Sequence, residues 1–244
     1  MSKFQLTYKP LGDSAILIEW PPEISREILN DIRFFVSKIH IGKYKEVIEY
    51  SFVYNSLLVV YDVELTDCTA FTKKIKKIYN EGVVVKPSKR TLWEIPVCYD
   101  QEFGIDLSLM SVEKKLSIDE IVAMHSAVNY TVYGVGFLPG FLYLGGLTEK
   151  LNFPRMLVPR MEVLKGSVGI GGNQTGIYPQ TSPGGWHIIG KTPITLFEVN
   201  NEIPCFINPA DEVKFIPILK EEFYKTEEAC KRGTYKPIKS VLND

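Results

Sequence analysis

Residues 165–193 read KGSVGIGGNQTGIYPQTSPGGWHIIGKTP. Short β-prone runs are punctuated here by glycine and proline. The same texture fills FLPGFLYLGGL at 137–147. Glycine permits positive φ and close approach of backbone to backbone, so this composition favours a compact β-barrel or sandwich over a helical domain. A mainly β domain is predicted over 130–218.

Upstream the texture differs. Ala15–Glu19 reads as a strand, and after Pro21-Pro22 the residues Ile24, Ile28, Ile32, Phe35, Val36 and Ile39 share one face at helical spacing. Val47–Tyr50 and Leu57–Tyr61 read as strands around a turn containing Asn55. Thr66 or Asp67 then caps a helix with Phe71, Ile75 and Ile78 inward. With Leu92–Cys98 as a last strand, the order is βαββαβ, which predicts an α+β, ferredoxin-like domain over 1–100. A helical linking region over 101–129 follows, where Ser117 and Glu120 form a capping box and Ile118, Ile121, Val122, His125 and Val128 face inward. The residues 219–244 read as one helix, ending at Gly233, and a frayed tail.

Composition narrows the function. With 28 basic and 29 acidic side chains there is no electrostatic footprint for nucleic acid or an anionic membrane, and neither is expected as a partner. No apolar run approaches the roughly 20 residues that span a bilayer, and the first residues lack a signal-peptide pattern, which predicts a cytoplasmic location. Cys68, Cys98, Cys205 and Cys230 form no CxxC pair and His40, His125 and His187 form no metal-binding spacing, so no protein-bound metal is expected.

Several residues carry candidate chemistry. Gly185–Thr192, GWHIIGKT, satisfies the phosphate-loop pattern formally. Its bulky interior and the proline at 193 instead suit a buried strand closed by a turn. Gly166–Gly176 holds five glycines in eleven residues together with Ser167, Asn173, Gln174 and Thr175. It either presents bare amides to an anion or forms a tight turn of a small barrel. Arg155 and Arg160, each preceded by proline, suit either bidentate capture of a carboxylate or an ordinary ion pair. His125 on an apolar helix face is either a general base or a hydrogen-bonded core residue.

Taken together, PVCYDQEFGIDL (96–107), IVAMHSAVNYTVYGVGFLPGFLYLGGL (121–147), PRMLVPRMEVLKGSVGIGGNQTGIYPQTSPGGWHIIGKTP (154–193) and NPADEVKFIPI (208–218) closely resemble one family. This is the group of 5-oxoprolinase B subunits, Kip inhibitors and allophanate hydrolase subunit 1, and YKPLGDSAILIEW at 8–20 fits its opening strand. The resemblance implies a cyclophilin-like C-terminal barrel and an ATP-driven opening of the lactam of 5-oxo-L-proline to L-glutamate, ADP and phosphate, in company with subunits A and C. ATP is then a cosubstrate whose binding residues the sequence does not identify.

On positions that match the family motifs, the resemblance implies a cleft lined by Arg160 for an anion, Gly169 and Gly171, Gln174 and Thr175 for polar orientation, Tyr178 and Trp186 as wall, and Gly184 and Gly185. It implies His125 for proton transfer or support. The familiar family version has GIAG, and a glutamine after GGW; this chain has GIGG and His187, so no role carries over to position 187. Two other functions accompany the same resemblance: inhibition of autophosphorylation of a sporulation histidine kinase, and membership of an allophanate or urea-amide hydrolase. Prolyl isomerase activity does not follow from a cyclophilin-like fold.

Overall fold

The computed structural model describes residues 4–82 and 89–242, which divide into two compact units, Met1–Lys89 and Arg90–Asp244. The division falls ahead of the boundary near residue 100 that the strand count suggests.

In the first unit, β1 (Thr7–Leu11), β2 (Ala15–Glu19), β3 (Val47–Val53) and β4 (Ser56–Tyr61) form an antiparallel sheet in the order β1-β2-β4-β3. The helices α1 (Arg26–Gly42) and α2 (Cys68–Asn80) pack on it. Ser25 caps α1 by accepting from the Glu27 amide, and Asp67 caps α2 by accepting from Ala70 at 2.9 Å, which satisfies amides that the first helical turn leaves free. Ile28, Ile32, Phe35 and Ile39 of α1 and Phe71, Ile75 and Ile78 of α2 meet Ile16, Ile18, Leu57, Val59 and Tyr61 of the sheet.

The fourth strand of the expected ferredoxin-like sheet is elsewhere. β5 (Arg90–Cys98) belongs to the second unit, and the free edge of β2 is taken by β1. β5 runs parallel to β13 (Glu212–Ile218) in continuous register from Glu212↔Leu92 to Ile218↔Cys98. The alternation of Trp93, Ile95 and Val97 suits either sheet. Asp211 distinguishes them: its carboxylate accepts from the Thr91 amide at 2.8 Å, the Trp93 indole at 2.9 Å and the Asn208 amide at 3.0 Å.

The second unit continues with α3 (Leu107–Lys114), α4 (Ile118–Ser126), β6 (Asn129–Val135), β7 (Leu142–Gly145), β8 (Arg160–Val163), β9 (Ser167–Gly171), β10 (Gln174–Ile177), β11 (Ser182–Gly184) and β12 (His187–Lys191) before β13. Among the described residues, seven strands close a barrel in the order β6-β13-β5-β12-β9-β10-β7, with β7 pairing back to β6. Ile95, Val97, Val132, Leu144, Val168, Ile170, Ile189, Val213 and Phe215 fill its core, joined by Leu107 and Met110 of α3 and Ile121 of α4. The capping box of α4 is present, Ser117 and Glu120 each accepting from the other's backbone. A separate pair of strands, β8 and β11, covers a second small core of Phe141, Val163, Tyr178, Trp186 and Ile188.

After α5 (Lys220–Lys231), the tail is a strand and not a frayed end. β14 (Ile238–Leu242) pairs antiparallel with the first half of β5, from Ile238↔Glu94 to Leu242↔Arg90. β12 meets β5 only at Cys98, so the Arg90–Glu94 stretch has an edge for β14 to satisfy. No helix among the described residues is long and apolar enough to cross a membrane.

Asp211→Ala strands three donors at once, two of them on β5. Loss of about 2–4 kcal/mol of unfolding free energy is expected, measured by urea denaturation at unchanged m-value. A loss below about 0.5 kcal/mol would show that Asp211 does not hold β5 in the barrel.

Candidate active-site cleft

The glycine-rich stretch builds a seat for an indole. Gly169 and Gly171 on β9 and Gly176 on β10 turn bare backbone toward Trp186; a Cβ on Gly171 would lie 2.5 Å from the indole Cδ1 and Nε1. Every residue of β9 is buried, with neighbours β10 and β12 on either side. Gly169 and Gly171 therefore do not offer amides to a ligand as expected, because a side chain of the protein covers that face. β12 is a strand running into Thr192-Pro193 with no helix after it, so GWHIIGKT makes no phosphate loop.

His125 lies in the barrel core with no exposed surface. Its Nδ1 is 2.7 Å from the Tyr99 hydroxyl and its Nε2 is 2.8 Å from Thr175 Oγ1, while Thr175 donates to the Gly169 carbonyl at 3.0 Å. Since the Thr175 proton is used on that carbonyl, Thr175 accepts from Nε2–H, and Nδ1 accepts from Tyr99. The ring also stacks on Phe215, 4.6 Å between centroids at 16°. Burial lowers its pKa from 6.5 to about 3. A neutral, fully bonded and sealed imidazole is a core brace, which corrects its expected place as a proton carrier and removes Thr175 from the cleft as well.

Arg160 is committed too. Its guanidinium forms a bidentate pair with Asp106, Nη1 to Oδ2 at 2.9 Å and Nη2 to Oδ1 at 2.6 Å, and Asp106 Oδ2 accepts in addition from the Ile188 amide at 2.6 Å. Asp106 is buried, so this pair ties β8, β12 and the start of α3 together and leaves Arg160 little capacity for an anion. Arg160 also borders a groove of about 380 Å3 beside α5, where Glu102, Glu162 and Glu227 outnumber Arg160 and Lys191 and disfavour an anionic ligand.

Four of the other predicted residues converge, while Gln174 does not line the same cleft. Tyr178, Gly184, Gly185 and Trp186 line a cleft of about 220 Å3 together with Phe137, Phe141, Tyr143, Arg155, Met156, Pro159 and Pro183. Gly184 has no room for a side chain because the Tyr178 hydroxyl rests on it. Burial pushes the Tyr178 phenol upward, against the opposing effects of the Trp186 backbone N–H and of Arg155 and Arg160, so the hydroxyl remains a donor at neutral pH. The Arg155 guanidinium sits 5.6 Å from the Trp186 ring centroid, and it has no acidic partner among the described residues. Gln174 Oε1 is buried without a hydrogen-bond partner.

His187 points away from this cleft, into the barrel end, edge-on to Phe153 at 4.5 Å. Its pKa is lowered, chiefly by burial. Among the described residues, no group of three or more His, Cys, Asp or Glu could hold a metal ion.

Comparison with known proteins places this architecture. Residues 6–207 match the family described as "Carboxyltransferase domain, subdomain C and D". The 5-oxoprolinase B subunit of Haemophilus influenzae is 39% identical over 207 residues, covering 85% of this chain and 95% of that one. The Bacillus subtilis 5-oxoprolinase B subunit is 34% identical over 228 residues, 89% of this chain and 95% of that one. The chain belongs to the family of these B subunits.

The crystal structure of TTHA0988 matches with a TM-score of 0.75 at 27% identity over 84% of this chain, which spans 40% of the TTHA0988 chain. Within this member of the B-subunit family, sequence reasoning underrated two groups. Asp106 gave no signal beyond its place in a motif, and Arg155 was distinguishable from Arg160 only by the carboxylate that captures the latter.

Two outcomes are expected. Arg160→Ala leaves the Asp106 carboxylate buried without its cation and should cost about 3–5 kcal/mol of stability, with Arg160→Lys recovering part of it; a variant as stable as wild type would show the pair to be incidental. For His125, the folded pKa lies below the unfolded one, so its contribution is complete above about pH 6.5 and is lost as pH falls toward 3, at up to about 1.4 kcal/mol per pH unit. Subtracting the stability curve of His125→Gln from that of wild type should isolate this slope; parallel curves across pH 6.5–4 would contradict the burial.

Proposed function

We propose that this chain is the B subunit of an ATP-dependent 5-oxoprolinase, gripping 5-oxo-L-proline while subunits A and C complete the conversion to L-glutamate, ADP and phosphate. An unstrained lactam is resonance-stabilised and a poor electrophile. Phosphorylation of its oxygen makes the ring carbon open to attack by water, so the enzyme must hold a carboxylate and a flat ring beside a nucleotide.

The observation that carries the reading is the cleft: one uncommitted guanidinium, Arg155, beside walls of Trp186, Phe141 and Tyr178. Its volume suits a small ring, its cation suits a carboxylate and its aromatic faces suit the plane of an amide. The names of the relatives support the same substrate.

The cleft holds no histidine or carboxylate among its lining residues, so in this reading the general acid and base come from other subunits. Such a division of labour fits the loop that bears Arg155. Leu157, Val158 and Met161 are 101%, 81% and 85% exposed on and just after it, an apolar surface of the kind that another subunit covers.

Purified alone, the chain is expected to be inactive; co-expressed with subunits A and C, it should give glutamate from 5-oxo-L-proline only with ATP. An inactive three-part mixture overturns the reading. In the active assembly, Arg155→Ala should raise KM for 5-oxo-L-proline by about ten- to hundredfold, from loss of a charge-assisted hydrogen bond of about 1.5–3 kcal/mol, with a smaller change in kcat. An unaltered KM removes Arg155 from carboxylate binding.

A further inference from the structure

At the mouth of the cleft one residue stands on a strained backbone. Phe137 has φ +59°, in the left-handed region that bulky side chains rarely adopt. The Leu138 amide donates to the Gly136 carbonyl at 2.7 Å, so Phe137 is the centre of a three-residue γ-turn of the rare positive-φ kind. The turn is held in place: Gly136 N–H donates to the Phe141 carbonyl at 3.0 Å, and Phe141 N–H to the Leu138 carbonyl at 2.9 Å.

What the strain presents is an exposed phenyl ring. Phe137 is 71% exposed, and its ring meets Phe141 edge-on, 5.8 Å between centroids at 86°. A phenylalanine that is both strained and mostly in water gains little from the folded protein alone. Strain of this kind persists where the surroundings enforce it and clusters at ligand sites. The position agrees, because Phe137 lines the same cleft as Arg155, Tyr178 and Trp186.

We infer that Phe137 is a specificity-determining residue whose ring stacks on the face of a small planar amide held in the Arg155 cleft. The ligand's identity as 5-oxo-L-proline rests on the proposed function above; the stacking requires only a flat amide small enough for the cleft. A turn that fixes the ring before binding lowers the ordering cost, and a ring face discriminates a planar lactam from the puckered ring of proline and from the flexible chain of glutamate.

Calorimetric titration of the full chain tests this with 5-oxo-L-proline, allophanate, L-proline and L-glutamate as probes. Phe137→Gly removes the ring while suiting the φ, so its Tm should stay level or rise. Its affinity for 5-oxo-L-proline should fall by about three- to tenfold, the range of one aromatic stacking contact. Phe137→Tyr should restore it, and any weak binding of L-proline or L-glutamate should be unaffected by either change.

Undiminished 5-oxo-L-proline affinity in Phe137→Gly overturns the stacking and leaves the proposed substrate standing. Binding of allophanate but not of 5-oxo-L-proline, weakened in Phe137→Gly, upholds the stacking and overturns the substrate. Failure of both amides to bind overturns the stacking. So does a variant that loses Tm together with affinity for every probe, or one that loses only association with subunits A and C, which would make Phe137 a core or docking residue.

Discussion

The indole of Trp186 lies on a strip of backbone that has no side chains, and most of what is distinctive in the second unit is arranged around that contact. Gly171 and Gly176 are bare because a Cβ on either would stand within 3.0 Å of the ring. The indole also packs edge-on with Phe141, 5.5 Å between centroids at 79°, and Phe141 in turn with Tyr178 at 5.7 Å and 85°. Burying a tryptophan removes about 200 Å2 from water, worth roughly 5 kcal/mol as an upper figure, and the edge-on pairs add about 0.5–1.5 kcal/mol each. The small core outside the barrel is thus strong enough to carry β8 and β11 and to fix one wall of the cleft.

That wall needs the opposite wall to stay in place, and Asp106 supplies the restraint. Its two oxygens take both arms of Arg160 and the Ile188 amide, so the chain that leaves Phe153 and carries Arg155 must land on β8 at a fixed point. The two arginines of the PRMLVPR stretch divide the work. Arg160 is spent on the internal carboxylate, and Arg155 is left over the Trp186 ring with its hydrogen-bonding edge uncommitted. A charge held against an aromatic face in this way is oriented without being neutralised, which leaves it able to pair with an anion.

Much of the local structure was legible because its causes are local. The capping box at Ser117 and Glu120, the Asp67 cap and the inward faces of α1 and α2 follow from spacings of three and four residues. The errors share one physical origin, a partner far away in sequence. Leu92–Cys98 is recognisable as a strand, but its place is fixed by Asp211, 118 residues beyond Trp93. The inward placement of His125 on α4 is readable, but its bond to Thr175 spans 50 residues and converts a candidate base into a brace. Arg160 and Arg155 look alike until Asp106, 54 residues upstream, is brought beside one of them. The glycines announce a close approach; only the fold shows that an indole makes it.

The sealed histidine bears on how the chemistry is distributed. A general base must reach its proton and change charge at the working pH, and His125 does neither: both nitrogens are engaged, and burial holds it neutral down to about pH 3. His187 is likewise buried, with its pKa lowered, on the barrel side of the sheet away from Trp186. The cleft presents a cation, a phenol donor and ring faces, and its lining residues include no histidine or carboxylate. Under the proposed function this cleft orients the lactam without a histidine or carboxylate of its own, and the exposed apolar side chains of Leu157, Val158 and Met161 lie on and just after the loop that carries Arg155.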